Sequence, residues 1–312
     1  MLNTNIKSVL ELIQTFPNEE SCIKYLEQIF WDGEAVSPFD IDSKVYKCKN
    51  GKYRCKNTGK YFTVKTGTMF DGTKIPLQKW FLAIWLVTSH KKGISSLQLG
   101  RDLNISQKTA WFLLQRIRVC LSIENDSELD GIVEVDETFV GGKNKNRHRD
   151  KKVANSQGRS FKDKVPVLGM LQRSGKLTCR VVDNTQRDTI QPIVKQFVKS
   201  NSILISDEWK AYRGLSSIYD HKIVDHSKKE YVNLHDRSIH SNSIEGFWGI
   251  FKRGMVGIYN HTSKKHLPLY VNEFVYRYNT RKYSDGDKFY WMVVNSGIRT
   301  KYIDIKICSV KN

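Results

Sequence analysis

Apolar and polar positions follow three successive rhythms along this chain. Over residues 4–30, Leu10 and Ile13, then Ile23, Leu26 and Ile29, recur at helical spacing. Phe16-Pro-Asn-Glu-Glu20 separates the two sets, so two short helices are predicted. Residues 31–70 are turn-rich and dotted with Lys, Tyr and Phe. Lys44-Val-Tyr-Lys-Cys48, Tyr53-Arg-Cys55 and Lys60-Tyr-Phe-Thr-Val64 read as short strands, with Lys49-Asn-Gly51 as a turn. Residues 76–120 return to the helical period: one apolar helix from Leu77 to Thr88, a second over Ser95–Leu103, a short turn Asn104-Ile-Ser106, and a third from Gln107 to Val119.

From residue 131 the pattern becomes mixed α/β. It predicts strands at Ile132–Val140, Val165–Gln172 and Leu177–Val182, a helix at Thr189–Lys199, and a strand at Ser202–Ser206. A further strand falls near Ile223–Asp225, and helices follow at Asn242–Met255 and Ser263–Asn279. Three strands in a meander, a helix and another strand describe a ribonuclease-H-like order. The short helix, tight turn and longer helix before it match a helix-turn-helix in outline, although an ordinary helical hairpin would read alike.

Charge changes the picture. Fifty-one Lys and Arg against 32 Asp and Glu leave a net charge of +19 in 312 residues, spread along the chain rather than gathered in one tail. Such an excess costs self-repulsion unless a polyanion relieves it, which favours nucleic acid over a membrane surface. On that basis Ser106, Gln107 and Lys108, at the start of the third helix, and Arg116 further along it are candidate DNA contacts. Lys143, Lys145 and Arg147 lie in a polar loop between the first two α/β strands; it is either solvated or a clamp on a DNA backbone. The longest apolar run, Trp80–Val87, falls far short of the ~20 residues needed to span a membrane. No secretory pattern opens the chain. Six scattered cysteines (Cys22, Cys48, Cys55, Cys120, Cys179, Cys308) suggest a reduced, cytoplasmic protein.

Within this basic chain, certain acids stand where chemistry is expected. Strand alternation over Ile132–Val140 puts Glu134, Asp136 and Thr138 on one face, and Val133, Val135, Glu137 and Phe139 on the other. Asp136 is therefore preferred to Glu137 as a ligand. Asp207 follows the apolar run Ile203-Leu-Ile205, at the mouth of a buried strand, where α/β proteins place chemistry. Asn242 and Glu245 share a helix face, with Lys252 two turns further on, while Ile244, Phe247, Trp248 and Phe251 form the opposite, buried stripe. Asn242-Ser-Ile-Glu245 also fits a capping box. Oxygen ligands of this kind suit Mg²⁺ or Mn²⁺.

Asp-Glu-Thr-Phe-Val-Gly-Gly from residue 136, Ser206-Asp-Glu-Trp-Lys-Ala-Tyr212 and Asn242-Ser-Ile-Glu-Gly-Phe-Trp-Gly-Ile-Phe-Lys-Arg-Gly254 resemble segments of bacterial insertion-sequence transposases of the DDE superfamily. The likeness extends to Tyr53-Arg-Cys-Lys-Asn-Thr-Gly-Lys-Tyr-Phe62 and to Tyr276-Arg-Tyr-Asn-Thr-Arg281. It implies N-terminal helices (1–30), a zinc-ribbon-like module (31–70), a helix-turn-helix region (71–125) and a ribonuclease-H-like catalytic domain (126–312).

By that resemblance Asp136 and Asp207 are the first two catalytic metal ligands. The third is Asn242 or Glu245, with Glu245 preferred because a carboxylate binds a hard cation more strongly than an amide. Lys252, followed by Arg253, would contact a phosphate near the DNA end. The implied activity is two-metal cutting of insertion-sequence ends and joining of the 3′-hydroxyl to target DNA. Its partners would be double-stranded terminal repeats and target, in a homodimer or larger synaptic complex. A ribonuclease-H-like nuclease without strand transfer, a DNA-binding regulator and a catalytically decayed copy are the alternatives. The ribbon departs from the family pattern: its two Cys-x-x-Cys knuckles read Ser37-Pro-Phe-Asp40 and Cys55-Lys-Asn-Thr58. A structural zinc needs four ligands, so the expectation is a ribbon without zinc, held by Tyr46, Tyr53, Tyr61 and Phe62.

Overall fold

A computed structural model describes residues 6–142, 148–153, 164–224 and 239–307. In chain order its elements are α1 (Val9–Thr15), α2 (Glu19–Trp31), β1 (Val45–Lys47), β2 (Tyr53–Cys55), β3 (Tyr61–Phe62), α3 (Leu77–Ser89), α4 (Ser96–Leu103) and α5 (Gln107–Cys120). Then come β4 (Ile132–Val140), β5 (Val165–Gln172), β6 (Leu177–Val181), α6 (Arg187–Phe197), β7 (Ile203–Asp207) and β8 (Asp220–Val224). The chain continues with α7 (Asn242–Gly254), α8 (Leu267–Asn279), α9 (Asp285–Val294) and α10 (Tyr302–Ile307). They form two compact units: Met1–Leu121 with Lys282–Asn312, and Ser122–Arg281. No helix among the described residues is long and apolar enough to cross a membrane.

In the first unit, β1, β2 and β3 make a small antiparallel sheet. Its core is Tyr53, Cys55 and Phe62, with Trp31, Ala35 and Val45 packed against them. Tyr46 and Tyr61 are exposed, at 43% and 60%, so the expected ring set is corrected: Trp31, from the end of α2, supplies the packing assigned to them. The Cys55 thiol donates to Ser43 Oγ at 3.2 Å, and the hydroxyls of Ser37 and Thr58, with that of Ser43, act to favour its thiolate. Two of the knuckle positions thus carry hydroxyls turned onto the one remaining thiol.

Helix α4 ends on Asn104 in the left-handed conformation, and Ser106 then caps α5 by accepting from Thr109 N–H. The turn is tight enough that a Cβ on Gly100 would lie 3.0 Å from the Ile105 carbonyl oxygen. Helix α9 belongs to this unit, although sequence reading extended the α/β domain to residue 312. Its Phe289 ring packs among Phe16, Tyr25, Phe81 and Trp85, with centroids 5.4–6.3 Å apart.

The second unit is a five-stranded sheet in the order β6-β5-β4-β7-β8. The first three strands are antiparallel; β7 runs parallel to β4, and β8 parallel to β7. Period-two alternation divides the core. Val133, Val135, Leu168 and Met170 meet α6 through Ile190, Val194 and Phe197. From the opposite face, Val167 and Leu171 meet α7 and α8 through Ile244, Phe247, Trp248, Phe251, Phe274 and Val275. The apolar stripe expected of α7 is therefore the one it buries, and its other side carries Asn242, Glu245, Lys252 and Arg253.

Candidate active site

Asp136 lies in the middle of β4 on the face that α7 covers. The parallel pairing of β4 with β7 matches Ile132 to Ile203, Val133 to Leu204 and Glu134 to Ile205. Carrying that register two residues further sets Asp207, the last residue of β7, abreast of Asp136. A carboxylate oxygen of Asp207 accepts the Trp209 backbone N–H at 3.0 Å, which fixes the turn leaving the strand. Burial, then the charge of Asp207, and to a smaller extent that of Glu245, push the Asp136 carboxyl up to about 6. A backbone N–H and Trp248 act the other way. The charges of Asp207, at the end of β7, and of Glu245, on α7, thus both bear on the Asp136 carboxyl.

Glu137 faces the other side of the sheet and accepts a short hydrogen bond from the Tyr212 hydroxyl. Burial, followed by the charge of Glu137, holds the Tyr212 phenol well above its ordinary range, and Asp136 and Asp207 push it the same way.

Helix α7 is anchored unexpectedly. Its N-cap is Ser241, not Asn242, and makes no side-chain cap. The capping box weighed for Asn242 is not formed. Instead the buried Glu134 carboxylate, on Asp136's face of β4, accepts the Ser243 and Ile244 backbone N–H groups and the Ser243 hydroxyl, each at 3.0 Å. The Arg173 guanidinium pairs with Glu134 at 2.7 Å and donates to the His240 carbonyl at 2.7 Å. The freed Ser241 hydroxyl donates to Glu245 at 2.8 Å. Asn242, Lys252 and Arg253 are exposed on the helix surface and Glu245 is half-buried.

Further along α7, the Trp248 ring lies on Gly169, the register partner of Asp136 on β5. A Cβ at Gly169 would sit 2.6 Å from Trp248 Cζ2, so only glycine lets the helix lie this close to the strand.

Among the described residues, no three His, Cys, Asp or Glu side chains are already gathered at ligand distance. The donor chemistry nevertheless fits a hard dication. Asp136, Asp207 and Glu245 are oxygen donors; burial and, after it, the charges of Asp207 and Glu245 raise the Asp136 carboxyl, and a cation there would act against those effects.

The DNA-contact candidates of the first unit divide. Lys108 is exposed; Ser106 and Gln107 are exposed too, though Ser106 caps α5 and the Gln107 amide donates to Ser96 Oγ at 2.8 Å. Arg116 must be withdrawn as a DNA contact. It is 7% exposed, and its guanidinium donates to the carbonyls of Thr300, Met69 and Asp71 at 2.9–3.0 Å. Lys143, Lys145 and Arg147 lie outside the described residues.

The ISXO2-like transposase domain matches residues 128–279, within the second unit. A transposase-like protein of Haemophilus influenzae is 33% identical over 100 residues, covering 32% of this chain and 77% of that protein. The chain belongs to the insertion-sequence transposases of the DDE superfamily. A protein of the transposable element ISH50 of Halobacterium salinarum is 27% identical over 279 residues, which span 85% of this transposase and 92% of that relative. Two Mos1 structures, a pre-cleavage transpososome and a paired-end complex with the left transposon end, align over 93% and 95% of the chain. They cover 97% and 95% of theirs, at 11% and 13% identity and TM-scores of 0.23 and 0.21.

Two residues of the candidate site escaped sequence reading: Glu134 and Arg173. Glu134 left a signal, since it shares the face of Asp136 and a buried acid must be paired. Arg173, in a turn after β5, left none, because its partners are 39 and 67 residues away.

Proposed function

We propose that this transposase cuts the ends of its insertion sequence and joins the resulting 3′-hydroxyl to target DNA, with Asp136, Asp207 and Glu245 as its catalytic carboxylates. The observation that carries this reading is the register of β4 with β7, which aligns Asp136 with Asp207, together with the influence of Glu245 on the same carboxyl. Mg²⁺ or Mn²⁺ held by these three groups would activate the attacking oxygen and stabilise the leaving one.

In the first step water attacks the phosphorus at the transposon end, and the bond to the 3′ oxygen breaks, leaving a 3′-hydroxyl. In the second, that hydroxyl attacks a target phosphodiester and displaces the target's own 3′ oxygen, so one ester forms as one breaks. Lys252 and Arg253, exposed in the last turn of α7, would hold phosphate oxygens beside the reacting one. Glu245 is preferred to Asn242 as third ligand for its charge, which bears on Asp136.

The sheet order, a three-strand meander extended by two parallel strands, supports a ribonuclease-H-like catalytic unit. Helices α4 and α5 with their tight turn support a helix-turn-helix that reads the terminal repeats through Ser106, Gln107 and Lys108. The β1–β3 module is read as a zinc-ribbon shape in which Ser37, Asp40 and Thr58 replace ligands. Bringing two DNA ends together would require a dimer or larger synaptic complex, acting on the bacterial nucleoid in the cytoplasm.

The test is Mg²⁺-dependent cleavage and joining on the element's own ends. Asp207→Asn and Glu245→Gln should abolish joining, and Asn242→Ala should retain it. Joining lost only in Asn242→Ala would move the third ligand to Asn242. A wild-type chain that cuts but never joins pre-cut ends would be a nuclease.

A further inference from the structure

The reaction as proposed leaves unused a buried polar group on α7, the helix that carries Glu245. The Trp248 side chain is 4% exposed, and its indole N–H forms no hydrogen bond of normal length among the described residues. An N–H taken out of water without an acceptor is costly. The sequence could have avoided that cost with phenylalanine, which would fill the same apolar stripe beside Phe247 and Phe251.

The ring's position indicates what the N–H is for. Asp136 and Gly169 are direct partners in the antiparallel pairing of β4 with β5. Partners of this kind project from the same face with Cβ positions about 4.5–5.5 Å apart. The absent side chain of Gly169 is replaced by the Trp248 ring, whose Cζ2 and Cη2 would lie 2.6 and 2.9 Å from a Cβ there. Cζ2 is bonded to the ring carbon that carries Nε1, so the edge resting on Gly169 is the edge bearing the donor. Asp136 projects from the same face at the paired position, so that edge lies beside its side chain.

We propose that Trp248 is a positioning residue: its indole N–H holds one Asp136 oxygen, fixing the carboxylate so that the other oxygen remains for the cation. Gly169 is the complementary half of the device, since any side chain there would lift the ring off the strand. The inference rests on the catalytic reading above. It adds that the first carboxylate is oriented by α7, the helix that also brings Glu245, so two of the three acids depend on one element. Partners that orient metal-binding groups in this way typically account for about 10- to 100-fold in metal affinity or activity.

The first measurement uses metal-free protein. The Trp248 indole ¹H–¹⁵N resonance, assigned by its disappearance in Trp248→Phe, should shift when Asp136→Asn is introduced. A resonance indifferent to Asp136→Asn would overturn the proposal. The second measurement follows Mn²⁺ affinity and strand transfer. Trp248→Phe should weaken Mn²⁺ binding and lower kcat about 10- to 100-fold while leaving KM for the DNA ends unchanged. Values within about twofold of wild type would overturn it. Should Trp248→Phe fold poorly, benzothienylalanine at position 248 retains the ring shape and lacks the N–H, and the same losses are expected of it. If the wild-type chain joins no DNA while the indole responds to Asp136, the catalytic reading fails and the hydrogen bond stands. If the chain joins DNA and the indole ignores Asp136, this proposal fails alone.

Discussion

Replacing Glu134 with alanine should loosen α7 at its first turn, because that helix borrows its N-terminal cap from β4. The Glu134 side chain is fully buried, and Arg173 beside it is 17% exposed. The substitution removes a 2.7 Å ion pair and strands three donors now held at 3.0 Å. Breaking one side of a buried pair costs about 3–5 kcal/mol. Arg173 keeps the His240 carbonyl and some contact with water, so the lower end, about 3 kcal/mol, is expected. For the roughly 160-residue unit Ser122–Arg281, at about 2–4 °C per kcal/mol, the melting point should fall by about 6–12 °C. Circular dichroism measures that change. Amide exchange locates it, since the Ser243 and Ile244 N–H groups should lose protection before the rest of the sheet. Glu134→Gln, which keeps an acceptor in place, should fall between. A melting point within about 2 °C of wild type, with exchange at Ser243 and Ile244 unchanged, would refute the cap.

Other expectations follow from the same geometry. The Asp136 carboxyl is raised in the fold from 3.8 to about 6, so the folded chain holds that proton more tightly than the unfolded one. Its favourable contribution is present below pH 3.8 and lost as pH rises to about 6. Asp136→Asn should therefore stabilise metal-free protein at pH 7.5 more than at pH 4, by roughly 3 kcal/mol at most; a gain independent of pH would contradict the burial and repulsion described. Lys252→Ala should weaken DNA binding and reduce the slope of log K against log salt by about 0.9, the share of one phosphate contact, with Mn²⁺ affinity unchanged. Arg116→Ala should lower the melting point and leave the DNA affinity of the folded fraction intact, whereas Lys108→Ala should do the reverse.

Much of this structure could be read in the chain because its strongest signals are local. The alternation of Ile132–Val140 set Asp136 on one face and Glu137 on the other, and the fold keeps that division: α7 covers Asp136, and Tyr212 occupies Glu137. Likewise Ile244, Phe247, Trp248 and Phe251 repeat at helical spacing and are the residues α7 buries. Long-range polar pairing escaped. Asn242-Ser-Ile-Glu245 has the spacing of a capping box, yet the acceptor that fills the role lies 109 residues earlier in the chain.

Arg116 was misread for a related reason. In a strongly basic chain an arginine on a helix suggests DNA, but the carbonyls that bind this one come from residues 69, 71 and 300, remote in sequence. The C-terminal boundary was also obscure. No composition change marks residue 282, and Phe289 reveals its unit only through the rings it meets.

The central claim is that Asp136, Asp207 and Glu245 serve one metal-dependent centre. Mn²⁺ binding to the chain assembled on its own DNA ends, followed by electron paramagnetic resonance, addresses it most directly. Wild type should hold two ions per active site; Asp136→Asn, Asp207→Asn and Glu245→Gln should each lose at least one, and Asn242→Ala none. Three carboxylate variants that bind Mn²⁺ as wild type does would contradict the account.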